Sequence, residues 1–199
     1  EICRKAARDI VQNNKKHLKV TSKNIEKYLS VPRYKLENPV KEPLVGVVTG
    51  LAWTQVGGET LLIEVNTMKG SGKLELTGNM GKVMLESAKV ALGYVRSMAA
   101  KYGIDEDFYK NIDIHLHIPE GAVPKDGPSA GIAITTAVVS ALTGIPVRAD
   151  IAMTGEVTLT GNVLPIGGLK EKTMAAYRNG IKTVLIPEEN VSDLKEIDD

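Results

Sequence analysis

From residue 79 to residue 102 the apolar positions Met80, Val83, Met84, Ala88, Ala91, Val95, Met98 and Tyr102 return at helical spacing and predict an amphipathic helix. Asn79 is the expected cap and Gly103 the expected stop. Residues 129–142 differ: they are apolar on nearly every side, which predicts a buried helix closed by Gly144 and Pro146. A third helical pattern covers residues 168–179 and ends at Gly180. Strands are expected at 44–53, 60–68 and 73–77, separated by Gly57-Gly58 and Gly70–Gly72, and again at 112–118, 151–154, 158–159, 162–165 and 183–186. This mixture of strands and helices, without an internal repeat, predicts an α+β (mixed α/β) domain in which several strands pack against helices.

The first part of the chain reads differently. Residues 1–14 place Ile2, Ala6, Ala7, Ile10 and Val11 at helical spacing, and residues 21–29 form a short polar-capped helical pattern. Pro32, Pro39 and Pro43 then mark a linker near residues 31–43. The expected organisation is a short helical piece at 1–38 followed by the main domain at 39–199. Glu1-Ile2-Cys3-Arg4-Lys5 carries neither an initiator Met nor the apolar region of a signal peptide, so the chain reads as an excised piece. Residues 193–199 read as the start of a new helix, so the C-terminal edge of the domain is expected to be truncated.

With 199 residues there is material for one sizeable core and a small appendage. A 43% hydrophobic and 25% charged composition with a formal charge of +1 reads as soluble and globular. It shows no basic excess that would indicate nucleic acid. The apolar run near residues 132–139 falls short of the roughly 18–20 residues of a membrane span. A single cysteine, Cys3, excludes an internal disulfide and suits a reducing compartment.

Ser129 stands in Pro124-Lys125-Asp126-Gly127-Pro128-Ser129-Ala130-Gly131, at an expected turn into a helix. A hydroxyl there lies beside unpaired backbone N–H groups, where a nucleophile and an oxyanion site belong, although a plain helix cap is the bland alternative. Gly127-Pro128-Ser129-Ala130-Gly131 also fits a nucleophile elbow, which would call for a downstream histidine. None follows: the three histidines are His17, His115 and His117. A histidine-first triad using Asp126 is poorly spaced, because Asp126 lies only three residues before the serine.

A lysine is the remaining base. In the helix expected at 168–179, Leu169, Lys172, Thr173 and Ala176 share one face, and Lys170, Glu171 and Arg178 point elsewhere. Lys172 therefore falls on the apolar side, where it is either a buried base or a stem whose amine reaches water. A base at neutral pH needs a pKa near 7–8, down from about 10.4, a shift of about 4 kcal/mol that burial and the positive end of a helix both favour.

Four segments then resemble a known family in order and spacing. They are Gly50-Leu51-Ala52-Trp53-Thr54, Pro119-Glu120-Gly121-Ala122 through Gly131, Met153-Thr154-Gly155-Glu156-Val157-Thr158-Leu159, and Leu164-Pro165-Ile166-Gly167-Gly168-Leu169-Lys170-Glu171-Lys172. Together they resemble the proteolytic domain of Lon, the ATP-dependent serine protease, over most of residues 39–197. The resemblance implies a Ser-Lys dyad of Ser129 and Lys172. It assigns Thr154, otherwise an ordinary strand residue, to orienting the lysine amine. It makes residues 1–38 the end of the AAA+ helical subdomain with its linker. It also implies an endopeptidase acting on unfolded, damaged and regulatory proteins, a homo-oligomeric, hexameric ring, and location in the cytoplasm or the mitochondrial matrix. No cofactor is expected in this chain, since ATP and Mg²⁺ belong to an ATPase module outside it. The other reading is a non-catalytic assembly or substrate-binding module of the same fold. An esterase built on the glycine-flanked serine would need the missing histidine.

Two further patterns invite chemistry. Asp113, His115 and His117 alternate on one strand face, but no nearby cysteine or further histidine completes a metal set, so a polar strand face and no metal are expected. Gly70-Ser71-Gly72-Lys73 fails as a phosphate loop, because Thr67 stands where its first glycine is needed and Leu74 replaces Ser or Thr. Lys125 and Asp126 are expected to shape or gate the loop before Ser129.

Overall fold

The computed structural model describes residues 1–14, 16–29, 40–54, 57–119 and 124–197. The chain divides into two compact units, Glu1–Leu36 and Glu37–Asp199. In the first, helix α1 (Ile2–Gln12) is followed by a 3-10 turn at Ile25–Lys27 in place of the helical pattern expected at 21–29. The Tyr28 hydroxyl donates to Asp9 Oδ2 at 2.7 Å, which ties the turn to α1. Residues 30–39, and with them most of the expected linker, lie outside the described residues.

The second unit is built on a six-stranded sheet. Its strands are β1 (Val47–Thr54), β2 (Gly57–Lys69), β3 (Leu74–Thr77), β4 (Ile112–His117), β5 (Ile151–Met153) and β8 (Thr183–Leu185), and they lie side by side in the order β3-β4-β2-β1-β5-β8. β1 pairs antiparallel with β2 and β2 with β4, while β3/β4, β1/β5 and β5/β8 are parallel. A two-stranded sheet of β6 (Glu156–Val157) and β7 (Val163–Leu164) stands apart. The mixed sheet with packed helices is the fold class expected.

Period-two alternation along β2 buries Leu61, Ile63 and Val65 against helices α2 (Lys82–Ser97) and α4 (Gly131–Thr143). Ile63, Ile118 and Ile134 are fully buried, each such side chain contributing about 1.5–3 kcal/mol. The buried hydroxyl of Thr135 is satisfied by donating to the Gly131 carbonyl at 2.8 Å, so α4 carries polar residues through the core at little cost. A smaller cluster of Leu51, Ala152 and Ala176 underlies helix α5 (Leu169–Arg178).

Several boundaries move for non-local reasons. The helix expected from residue 79 begins at Lys82, because Asn79 adopts φ +56° and Met80 bridges to Lys125 in strand fashion. Its far end stops at Ser97, with a separate 3-10 turn at Ala100–Tyr102 before Gly103 at φ +67°. Gly57 and Gly58 belong to β2 rather than separating strands. The strand expected at 158–159 lies at β6, since Thr158 is taken up in a turn in which its hydroxyl accepts the Asn162 N–H at 3.0 Å. A short helix α3 (Phe108–Asn111), which buries Phe108, has no counterpart in the sequence pattern. In place of a helix beginning at 193, a 3-10 stretch spans Glu188–Glu196, and residues 198–199 lie outside the described residues.

Candidate active site

Ser129 occupies the turn leading into α4, and its position is fixed by its neighbours on three sides. Its carbonyl accepts the Gly155 N–H at 2.8 Å and the Thr154 hydroxyl at 3.3 Å. Gly131 lies so close to β6 that a Cβ would stand 2.8 Å from Val157 N, so a side chain there would push the turn away. Upstream, Asp126 Oδ1 accepts the N–H of Met84 at 3.0 Å and of Gly127 at 2.9 Å. A carboxylate from the serine loop thus caps the first turn of α2, where unpaired amides and the helix dipole favour negative charge. Ser87, on the next turn of α2, donates to the Pro128 carbonyl at 3.4 Å. The loop residues Lys125 and Asp126 therefore do the shaping expected of them, by joining the serine turn to α2.

Lys172 arrives from α5. The segment before that helix is held by Asn190, whose Oδ1 accepts the Ile166 N–H and whose Nδ2 donates to the Ile166 carbonyl, both at 2.9 Å. Asn190 was not singled out in the sequence, where it belongs to no motif. Within α5, Leu169, Lys172 and Ala176 of the face anticipated from spacing are buried, together with Ala175, while Thr173 is half-buried. Lys172 is 2% exposed, and its Nζ donates to Ser129 Oγ and to Thr154 Oγ1, each at 3.1 Å. Burial pushes its pKa from 10.5 down to about 8.

The hydroxyl hydrogen of Thr154 is directed at the Ser129 carbonyl, so its oxygen presents a lone pair to the lysine. When Lys172 is neutral, one N–H can remain on Thr154 while the nitrogen lone pair faces the Ser129 hydroxyl. The arrangement can then take the serine proton. A cavity of about 600 Å³ opens over this pair, walled by Leu51, Trp53, Leu61 and Met84, with Asp126 and Glu171 also lining it. A second cavity of about 360 Å³ shares Ala52, Trp53, Leu61, Met84 and Asp126 with it and extends the groove.

The remaining candidates do structural work. Asp113 Oδ1 accepts the Ser71 and Lys73 N–H groups, each at 2.7 Å, and these bonds, Lys73 first, hold its carboxyl below the usual carboxylate range. Two of the amides that a phosphate cradle would need in Gly70-Ser71-Gly72-Lys73, those of Ser71 and Lys73, are thereby occupied by a carboxylate, and the Gly70 N–H donates to the Asn111 carbonyl at 2.9 Å. His115 and His117 both bond to Thr77 Oγ1, at 2.9 and 2.7 Å, across the β3–β4 pair. Cys3 is exposed in the first unit. Among the described residues no helix is long and apolar enough to cross a membrane.

Residues 19–199 match the sequence profile of the Lon protease (S16) C-terminal proteolytic domain. Full-length relatives match over nearly the whole chain. The Lon protease of Brevibacillus choshinensis is 56% identical over 98% of this chain and 25% of its own length. Lon protease 1 of Myxococcus xanthus is 58% identical over 98% of the chain and 24% of its own length. The Lon protease of Erwinia amylovora is 58% identical over 99% of the chain and 25% of its own length. The chain thus spans about a quarter of the length of the relatives it matches.

Proposed function

Since this chain belongs to the Lon protease (S16) C-terminal proteolytic domain family, a serine peptidase family, we propose that Ser129 is its nucleophile and Lys172 its general base. The observation that carries this reading is the 3.1 Å contact between Lys172 Nζ and Ser129 Oγ, made by a lysine that is 2% exposed. Neutral Lys172 takes the hydroxyl proton as Oγ attacks the scissile carbonyl. The resulting ammonium gives that proton to the leaving amine, and an acyl ester remains on Ser129. Water, deprotonated by the same amine, then attacks the ester; the serine leaves and recovers its proton from Lys172.

Among residues 127–131, three positions have no backbone N–H to give to an oxyanion. Gly127 N–H is bound to Asp126, Pro128 has no N–H, and Gly131 N–H donates to the Pro128 carbonyl at 3.0 Å. Those of Ser129 and Ala130 remain for the developing charge. Thr154 keeps the amine directed at the serine.

In the proposed whole, this domain is an endopeptidase on unfolded, damaged and regulatory proteins, in a homo-oligomeric ring. An ATPase module outside this chain uses ATP and Mg²⁺ to deliver the substrates, and the bacterial relatives favour the cytoplasm. Residues 1–38 are the last part of that module's helical subdomain and the linker. Ser129→Ala tests the assignment, because it removes only the attacking oxygen. A folded variant with no peptide hydrolysis and no fluorophosphonate adduct is expected; hydrolysis well above the solvent background would move the nucleophile elsewhere.

A further inference from the structure

We propose that Arg178 is a positioning residue for this reaction: by holding the Gly58 carbonyl it keeps the β1–β2 ribbon seated on α5 and so fixes Lys172 against Ser129. The inference rests on the Ser129–Lys172 assignment above. Arg178 lies six residues beyond Lys172 on α5, about 9 Å along the helix, so it does not touch the reacting atoms. Its Nη2 donates to the Gly58 carbonyl at 2.9 Å. Gly58 also lies against the peptide that carries the lysine: a Cβ there would stand 1.9 Å from Glu171 O and 3.0 Å from Lys172 N.

Across the ladder Gly58 is paired with Trp53, whose side chain lies on Gly168, the cap of α5. A Cβ on Gly168 would come within 2.7 Å of the Trp53 Cγ, and its φ of +69° independently favours glycine. Gly168, Glu171 and Arg178 follow one stripe of the helix, at i, i+3 and i+10. The ribbon therefore meets α5 at its cap and at the lysine peptide, and Arg178, two turns further along the helix, reaches back to Gly58.

The consequence reaches the lysine through water. The ribbon supplies Leu51, Trp53 and Leu61 to the cavity wall beside Lys172. Titratable groups around it are Asp126 from the serine loop and Glu171 from α5, with Glu59 of β2 and Lys125 of the serine loop in the adjoining cavity. A ribbon released at Gly58 would admit water to the lysine and loosen the peptide that sets its reach.

Arg178→Met keeps the apolar stem and removes the donors; Arg178→Lys keeps a charged donor. The readouts are the NMR titration of the Lys172 Cε, assigned by its loss in Lys172→Met, and kcat and KM for peptide hydrolysis. In Arg178→Met the titration is expected to move up toward that of an ordinary lysine. Its kcat should fall between roughly tenfold and a hundredfold with little change in KM, and Arg178→Lys should restore most of both. The titration needs no turnover. If Arg178→Met lowers the folded fraction, Arg178→Leu, which also lacks a donor, carries the same readouts. A folded variant with wild-type titration and kcat overturns the proposal, even if its Tm has dropped. Lys172→Met that still hydrolyses peptide would instead overturn the base assignment, whereas an inactive Lys172→Met beside a wild-type-like Arg178→Met sinks only the role of Arg178.

Discussion

Asp126 accepts the Met84 N–H at 3.0 Å, so that a carboxylate from the serine loop serves as the cap of a helix 42 residues away in sequence. The cap of α2, Gly81, cannot carry a side chain, because a Cβ there would stand 2.3 Å from Asp126 Cγ. Removing the carboxylate should therefore affect the helix and the Ser129 turn together. Asp126→Ala is expected to cost roughly 0.5–2 kcal/mol of stability, as for other lost helix caps. Labelling of Ser129 by a fluorophosphonate should slow by more than the folded fraction falls. Unchanged labelling in the folded variant would show that the cap does not position the serine.

The second expectation concerns Thr154, which accepts from Lys172 and donates to the Ser129 carbonyl. Thr154→Val keeps the shape and removes both bonds. The protonated lysine loses an acceptor, so its pKa should fall further and the acid limb of the pH–rate profile should move to lower pH. The amine is also less well aimed, so kcat should drop by roughly tenfold or more. An acid limb that moves upward would contradict this role for the threonine.

Stability should depend on pH through Lys172. Its folded pKa, about 8, lies below its ordinary 10.5, so the folded state releases the proton first. The burial penalty is fully present below pH 8, on the order of 3 kcal/mol, and disappears as the pH rises toward 10.5. Lys172→Met lacks a titrating group there. The Tm of the variant minus that of wild type should therefore decrease steadily as the pH is raised from about 7 to about 10. A difference independent of pH would mean that the lysine is solvated in the folded protein.

Much of this site was legible because its signals are local. The spacing of Leu169, Lys172 and Ala176 put the lysine on the apolar face of its helix, and α5 buries all three. The run after Ser129 announced a buried helix, and α4 is one, starting at Gly131 because the serine belongs to the turn. What the sequence hid depends on partners distant in the chain. Residues 79–81 fit a helix by pattern, but Lys125 draws them into strand-like pairing, its carbonyl accepting the Gly81 N–H at 2.7 Å. Asn190, which holds the approach to α5 through Ile166, sits in no recognisable motif, and no period or propensity would single it out. The Asp113–His115–His117 row read correctly as a polar strand face, yet the anchoring of Ser71 and Lys73 by Asp113 required the fold.

The most direct measurement of the dyad is the rate at which Ser129 is acylated by a small activated ester, followed from about pH 6 to about pH 10 in wild type, Lys172→Arg and Lys172→Ala. Arginine preserves charge and much of the stem but cannot give up its proton at these pH values. If neutral Lys172 is the base, wild-type acylation rises with pH through a midpoint near 8, and the arginine variant is as inert as the alanine variant. Substantial acylation by folded Lys172→Arg, or a wild-type rate that does not change across this range, would contradict the general-base assignment.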